Sequence, residues 1–129
     1  MRVLVVDDEY LVRRSVARAL GRLHWDYDMA AGPLEAALRC DLKRPDVILS
    51  DWDMPDGGGA EVIAIAARAG VPIVIYSGGE PQTDRPVIAK PAKSETIDSA
   101  LKGAIETHAR LSRLADPPPG ARGSSRGEP

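Results

Sequence analysis

The sequence predicts an α/β protein: a five-stranded parallel sheet with helices on both faces. Two observations carry this. Short, wholly apolar runs alternate along residues 1–115 with segments of helical period. Strands apolar at every position are buried on both faces, which is the mark of a parallel sheet. A third observation names the packing material. Hydrophobic residues make up 43% of the 129, yet Phe is absent and aromatics are 4%, so the core must be Ala, Val, Ile and Leu.

Each element follows in order. Val3-Leu4-Val5-Val6 is the first strand, ended by acids. Val12, Val16, Leu20 and Leu23 recur at helical spacing, with Arg13, Arg14, Arg18 and Arg22 off that line, so an amphipathic helix ends near Gly21–His24. Tyr27–Ala31 is a weaker second strand. Gly32-Pro33 starts a short helix over Leu34–Leu42. Pro45 precedes the third strand, Val47-Ile48-Leu49-Ser50. Residues 60–69 form a small-residue helix stopped by Gly70. Val71–Tyr76 is the fourth strand and Val87–Ala89 a short fifth. Ser94 caps the final helix, marked by Ile97, Leu101, Ile105 and Leu111.

One interval departs from the pattern. Twelve residues lie between Ser77 and Lys90, and the fifth strand leaves about eight of them, Gly78 to Arg85, for the crossover. Parallel crossovers usually take a dozen or more residues and a helix. These eight hold no large apolar residue, and extended they reach ~26 Å, enough to run back along a short strand. A loop is expected where a helix would normally sit. The last 14 residues, Asp116 to Pro129, contain four Pro and three Gly and no large apolar side chain. They read as a disordered tail behind a single domain of residues 1–115.

Composition excludes several classes. Lys+Arg 17 against Asp+Glu 19 leaves −2, which argues against binding nucleic acid or anionic membranes by bulk charge. One cysteine, Cys40, excludes an internal disulfide and a four-thiolate zinc site. The start, MRVLVVDDE, has too short an apolar stretch for a signal peptide, and no run approaches the ~18 residues of a membrane span. A cytoplasmic protein is expected.

Ligands of open α/β sheets bind at the carboxyl ends of the strands. Four such ends carry chemistry here: Asp7-Asp8-Glu9, Asp51-Trp52-Asp53, Ser77, and Lys90-Pro91. A single polar terminus would mean nothing; a converging set of carboxylates, a hydroxyl and an amine is chemically complementary. Clustered carboxylates repel one another, and a hard divalent cation such as Mg²⁺ relieves that. A carboxylate beside it can attack a phosphoryl group, while Lys90 and Ser77 supply charge and a hydrogen bond to the phosphoryl oxygens.

The set VLVVDDE, VILSDWDMPDGGG, IYSGG and IAKP resembles the receiver domain of two-component response regulators, over about residues 1–113. The resemblance implies a flavodoxin-like fold of strand order 2-1-3-4-5. It implies Asp51 as phosphoacceptor, with Ser77 as the switch hydroxyl and Lys90 pairing with the phosphoryl group. Asp8 is then the direct Mg²⁺ ligand, with Asp7 acting mainly through water, Asp51 itself, and Asp53 through its backbone carbonyl. Met54-Pro55 and Gly57 shape the loop after the acceptor, and a cis Lys90–Pro91 bond is implied. The partners implied are a histidine kinase or histidine phosphotransfer protein and an output protein that the sequence does not name. The phosphorylated form either changes its protein contacts or acts as a phosphate sink, as a monomer or a phosphorylation-dependent dimer.

Two features depart from the family pattern. The missing fourth helix alters the face that commonly carries output or dimerisation, and with the Tyr-Ser-Gly-Gly stretch it is similar to an atypical receiver subgroup lacking that helix. The aromatic switch residue three before the lysine is Val87 here. Tyr76 precedes Ser77, but strand neighbours point to opposite faces, so it is not an obvious substitute. Two other functions compete. One is a phosphorylation-independent pseudo-receiver. The other is a phosphatase of the haloacid dehalogenase type, since Asp51-x-Asp53 mimics its nucleophile pair; no cap or substrate pocket fits the short body. The remaining residues read plainly. His24 and His108 are solvated, Cys40 is packed, and Gly57-Gly58-Gly59 is a flexible turn without the Lys-Ser/Thr of a P-loop. Trp52 packs beside the acidic site. The arginines of the first helix form a solvated face or a kinase-docking one.

Overall fold

The computed structural model describes residues 1–55 and 57–115. Its order is β1 (Arg2–Val6), α1 (Tyr10–Arg22), β2 (Asp26–Ala30), α2 (Pro33–Leu42), β3 (Val47–Asp51), α3 (Gly58–Ala69), β4 (Ile73–Ser77), β5 (Val87–Ala89) and α4 (Ser94–Ala115). All strand pairs are parallel, and the sheet order is β2-β1-β3-β4-β5.

Strand alternation divides the core in two. Val3, Val5, Val47, Leu49, Val74 and Tyr76 face one side with Leu20 of α1 and Ile97 and Leu101 of α4. Leu4, Val6, Ile48, Ile73 and Ile75 face the other with Ala36 of α2 and Val62 and Ile65 of α3. β3, the central strand, is buried at all five positions. β2 is an edge strand, which explains its polar sequence: Asp26 and Tyr27 are exposed. α1 stops where His24 takes a left-handed φ of 71°.

The expected loop crossover is present. Residues 78–86 form bends and no helix, and β5 has three residues. β5 pairs with β4 only from Ile75–Val87 onward. Below that point an open groove runs between α3 and α4, lined by Ala66, Val71, Pro86, Gly103 and Leu111.

Three details correct the sequence reading. Ser94 is the first residue of α4 rather than its cap; its hydroxyl donates to Glu95 at 3.3 Å. α3 starts at Gly58, two residues early. The triple glycine is therefore a packing device rather than a flexible turn. Gly58 has φ +58°, and a Cβ there would lie 2.6 Å from the Trp52 carbonyl oxygen. A Cβ on Gly59 would lie 2.8 Å from Trp52 Cα, and the Gly59 N–H donates to Trp52 O at 2.8 Å. The start of α3 is thus clamped onto the backbone that follows Asp51. The expected tail, 116–129, lies outside the described residues.

Candidate functional site

β1, β3, β4 and β5 end side by side, and their carboxyl ends deliver the expected residues to one edge of the sheet. Asp7 follows β1 and its N–H donates to Ala30 O of β2 at 3.1 Å. Its Oδ1 accepts the Glu9 N–H at 2.9 Å, which turns the chain into α1. Asp51 is the last residue of β3. Its Oδ1 accepts the Trp52 N–H at 2.9 Å and the Lys90 ammonium at 3.2 Å. Lys90 also lies 3.5 Å from Asp7 Oδ2, so one cation spans both carboxylates. Asp7 is 3% exposed and Asp51 7%, whereas Asp8 is exposed.

The electrostatics follow from that burial. Desolvation pushes the Asp7 carboxyl above its ordinary value, and the charges of Asp51 and Asp8 push the same way; the Glu9 N–H and Lys90 oppose them without prevailing. Burial pulls the Lys90 ammonium down, but the hydrogen bond and charge of Asp51, with Asp7 behind it, carry it above the usual lysine value. Lys90 stays protonated and partly neutralises an acidic cluster that holds more negative charge than it can offset.

That cluster fits a metal. One carboxylate oxygen each of Asp7, Asp8 and Asp51 lie within 4.8 Å of one another. The donors are all hard oxygens, and exposed Asp8 leaves one side open to water, which is the chemistry Mg²⁺ prefers. The Asp53 side chain is exposed and stands apart from this group. Ser77 ends β4 next to Asp51's strand and is 1% exposed; its Oγ accepts the Gly79 N–H at 3.1 Å. Its backbone carbonyl accepts the Lys90 N–H at 2.9 Å, which ties β5 to the site. The Lys90–Pro91 bond is cis.

Two contacts escaped sequence reasoning. Arg13 is not part of the exposed arginine face: its guanidinium donates to the Asp7 carbonyl at 2.7 Å and lies 5.3 Å from the Tyr10 ring centroid. The signal was available, because Arg14, Arg18 and Arg22 recur every four residues and Arg13 does not fit that series. Tyr76 reaches Lys90, with Nζ 5.1 Å from its ring centroid, although it points away from Ser77's face. Two expectations held. Trp52 packs beside the site against the α2/α3 core, as does Met54. Cys40 is buried, and desolvation raises its thiol pKa, so it is inert packing.

Comparison with known proteins agrees with this fold. Residues 3–102 match the family model of the response regulator receiver domain. The KDP operon transcriptional regulatory protein KdpE of Escherichia coli K12 is 33% identical over 114 residues, covering 84% of this chain and 48% of that protein. A protein-glutamate methylesterase/protein-glutamine glutaminase of Anaeromyxobacter dehalogenans is 31% identical over 106 residues, covering 81% of this chain and 28% of that protein. The chain thus spans half or less of the length of these curated relatives. Among solved structures, chemotaxis protein CheY4 of Vibrio cholerae aligns with a TM-score of 0.72 at 26% identity, covering 80% of this chain and 97% of that one.

Proposed function

The chain belongs to the response regulator receiver domain family, and from that premise we propose that it accepts a phosphoryl group on Asp51 from a histidine kinase or a histidine phosphotransfer protein. The observation that carries the reading is the convergence of three carboxylates with one lysine that bridges two of them. Asp51 Oδ1 is held by the Trp52 N–H and Lys90, which leaves Oδ2 as the nucleophile. Oδ2 attacks the phosphorus of a phosphohistidine; the P–N bond breaks and its electron pair stays on the imidazole, which takes up a proton. The product is an aspartyl phosphate.

Asp7, Asp8, Asp51 and the Asp53 carbonyl would hold Mg²⁺, which when bound supplies charge stabilisation to the phosphoryl oxygens. Lys90 would contribute further positive charge from beside Asp51. Ser77 supplies its hydroxyl hydrogen, which its bond from the Gly79 N–H leaves free to donate. Arg13 fixes the Asp7 carbonyl and so the start of the acidic loop. The protein is a cytoplasmic signalling module rather than an enzyme acting on a separate substrate. Its output passes through a partner protein that binds the altered surface, or the module drains phosphoryl groups as a sink. Exposed Asp53, apart from the carboxylate cluster, does not favour the dehalogenase-type pairing.

Incubation with Mg²⁺ and acetyl phosphate, followed by intact mass, tests the reading. Wild type is expected to gain one phosphoryl group, and Asp51→Asn none. An unmodified wild type that still binds Mg²⁺ would replace this reading with the phosphorylation-independent interaction module.

A further inference from the structure

Lys90 is held where little of the fold would hold it. It follows a three-residue edge strand whose Val87 is 42% exposed, and no helix covers the crossover before it. A lysine ammonium rides on a flexible four-carbon stem, and fixing it costs side-chain entropy. Yet its Nζ sits within 3.5 Å of two carboxylates at the ends of two other strands.

Tyr76 touches this region twice. Lys90 Nζ lies over its ring, 5.1 Å from the centroid. Its hydroxyl accepts the Ala92 N–H at 3.4 Å, two residues beyond the lysine. The ring itself is fixed: Tyr76 is 9% exposed and packed in the same cluster as Val74, Ile88 and Ile97. The register explains the reach. Tyr76 pairs with Asp51 on one side and Ile88 on the other, so it stands between the acceptor and the base of the lysine. A side chain serving only as core would gain nothing from placing its π-face under a cation and its oxygen on a turn amide.

We propose that Tyr76 is a positioning residue that holds the Lys90 ammonium toward Asp51, its ring face attracting the cation and its hydroxyl anchoring the segment after Lys90. The Lys90 ammonium lies over an aromatic face, and an arrangement held by the carboxylates alone would leave the stem free to swing. This role rests on the phosphoacceptor reading of Asp51.

The experiment uses Tyr76→Leu, Tyr76→Phe, Lys90→Met and the Tyr76→Leu/Lys90→Met pair. Two quantities are measured. One is the NMR shift of the Lys90 side-chain methylenes in the unphosphorylated protein. The other is the rate of Mg²⁺-dependent phosphoryl uptake at saturating acetyl phosphate. The Lys90 methylenes are expected to be shifted upfield by the ring current in wild type and Tyr76→Phe, and to lose that shift in Tyr76→Leu. Uptake is expected to slow about tenfold in Tyr76→Leu, to stay within about threefold of wild type in Tyr76→Phe, and to slow no further when Tyr76→Leu is added to Lys90→Met. An unshifted Lys90 in wild type overturns the inference even if Tyr76→Leu fails to fold. Equal rates for wild type and Tyr76→Leu overturn it too. So does a full extra loss in the double variant, the mark of a purely structural role. A wild type that takes up no phosphoryl group overturns the phosphoacceptor reading instead, and with it the catalytic meaning of a lysine whose upfield shift would still show the contact.

Discussion

The acidic and cationic halves of the site stand on different foundations. Asp7 follows β1 and Asp51 ends β3, two strands flanked on both sides by other strands and buried almost throughout. Lys90 follows β5, an edge strand of three residues after a loop crossover. The carboxylates are placed by the core; the lysine is placed by a handful of contacts: the Ser77 carbonyl, the two carboxylates and the Tyr76 ring. The carboxylate half, the proposed metal site, is preorganised by the fold, while the lysine half, proposed to follow the phosphoryl group, is set on the most easily altered part of the sheet.

The largest contrast lies in the core beneath the two halves. Ile48, fully buried in β3, is expected to lose about 3–5 kcal/mol when cut to Ala, by the transfer and cavity terms of a packed site. Ile88, at the edge in β5, is expected to lose less, about 1–3 kcal/mol, because its neighbours are free to close in. Urea unfolding of both variants measures this; equal losses would break the comparison.

The glycine clamp comes next. Gly58→Ala forces a side chain into a left-handed backbone and onto the Trp52 carbonyl, and is expected to cost about 2–3 kcal/mol. It also shifts the backbone after Asp51, so phosphoryl uptake should fall with stability. A Gly58→Ala protein of unchanged midpoint and rate would show that the acidic half is not held by α3.

The smallest effect is a slope in pH. Asp7 has a raised carboxyl pKa in the folded state, so the folded protein binds more protons than the unfolded chain between the two values. The associated stability is complete below the ordinary carboxylate range and is lost as pH rises through the raised value. In chelator, Asp7→Asn should therefore remove a fall in stability on going from acid to neutral pH, and should be more stable than wild type at pH 7. Added Mg²⁺ should narrow that gap in favour of wild type. An Asp7→Asn protein less stable than wild type in chelator would reverse the sign of the argument.

Much of this was legible in the chain. Apolar runs ended by Asp7, Asp51, Ser77 and Lys90 disclosed both the parallel sheet and the edge where these residues meet, since a parallel sheet collects all its carboxyl ends at one edge. The loop crossover was legible too, because eight residues without a large apolar side chain cannot pack a helix. Other features depend on distances that periodicity does not encode. The Trp25 indole donates to Asp98, 73 residues away, at 2.7 Å and so joins the end of α1 to α4. Tyr76 was set aside because alternation assigns it to the other face, yet a lysine stem is long enough to cross from one face to the other. Gly57-Gly58-Gly59 looked like slack, because a sequence shows the missing side chains and not the backbone that fills their place.

Asp51, and no other acid of the cluster, is the proposed acceptor. Borohydride reduction of the acetyl-phosphate-treated protein, followed by peptide mass mapping, tests it most directly, because reduction converts an aspartyl phosphate to homoserine. Homoserine is expected at position 51 in the Mg²⁺-containing sample and none in chelator. Homoserine at 7, 8 or 53 instead, or at no position, would contradict it.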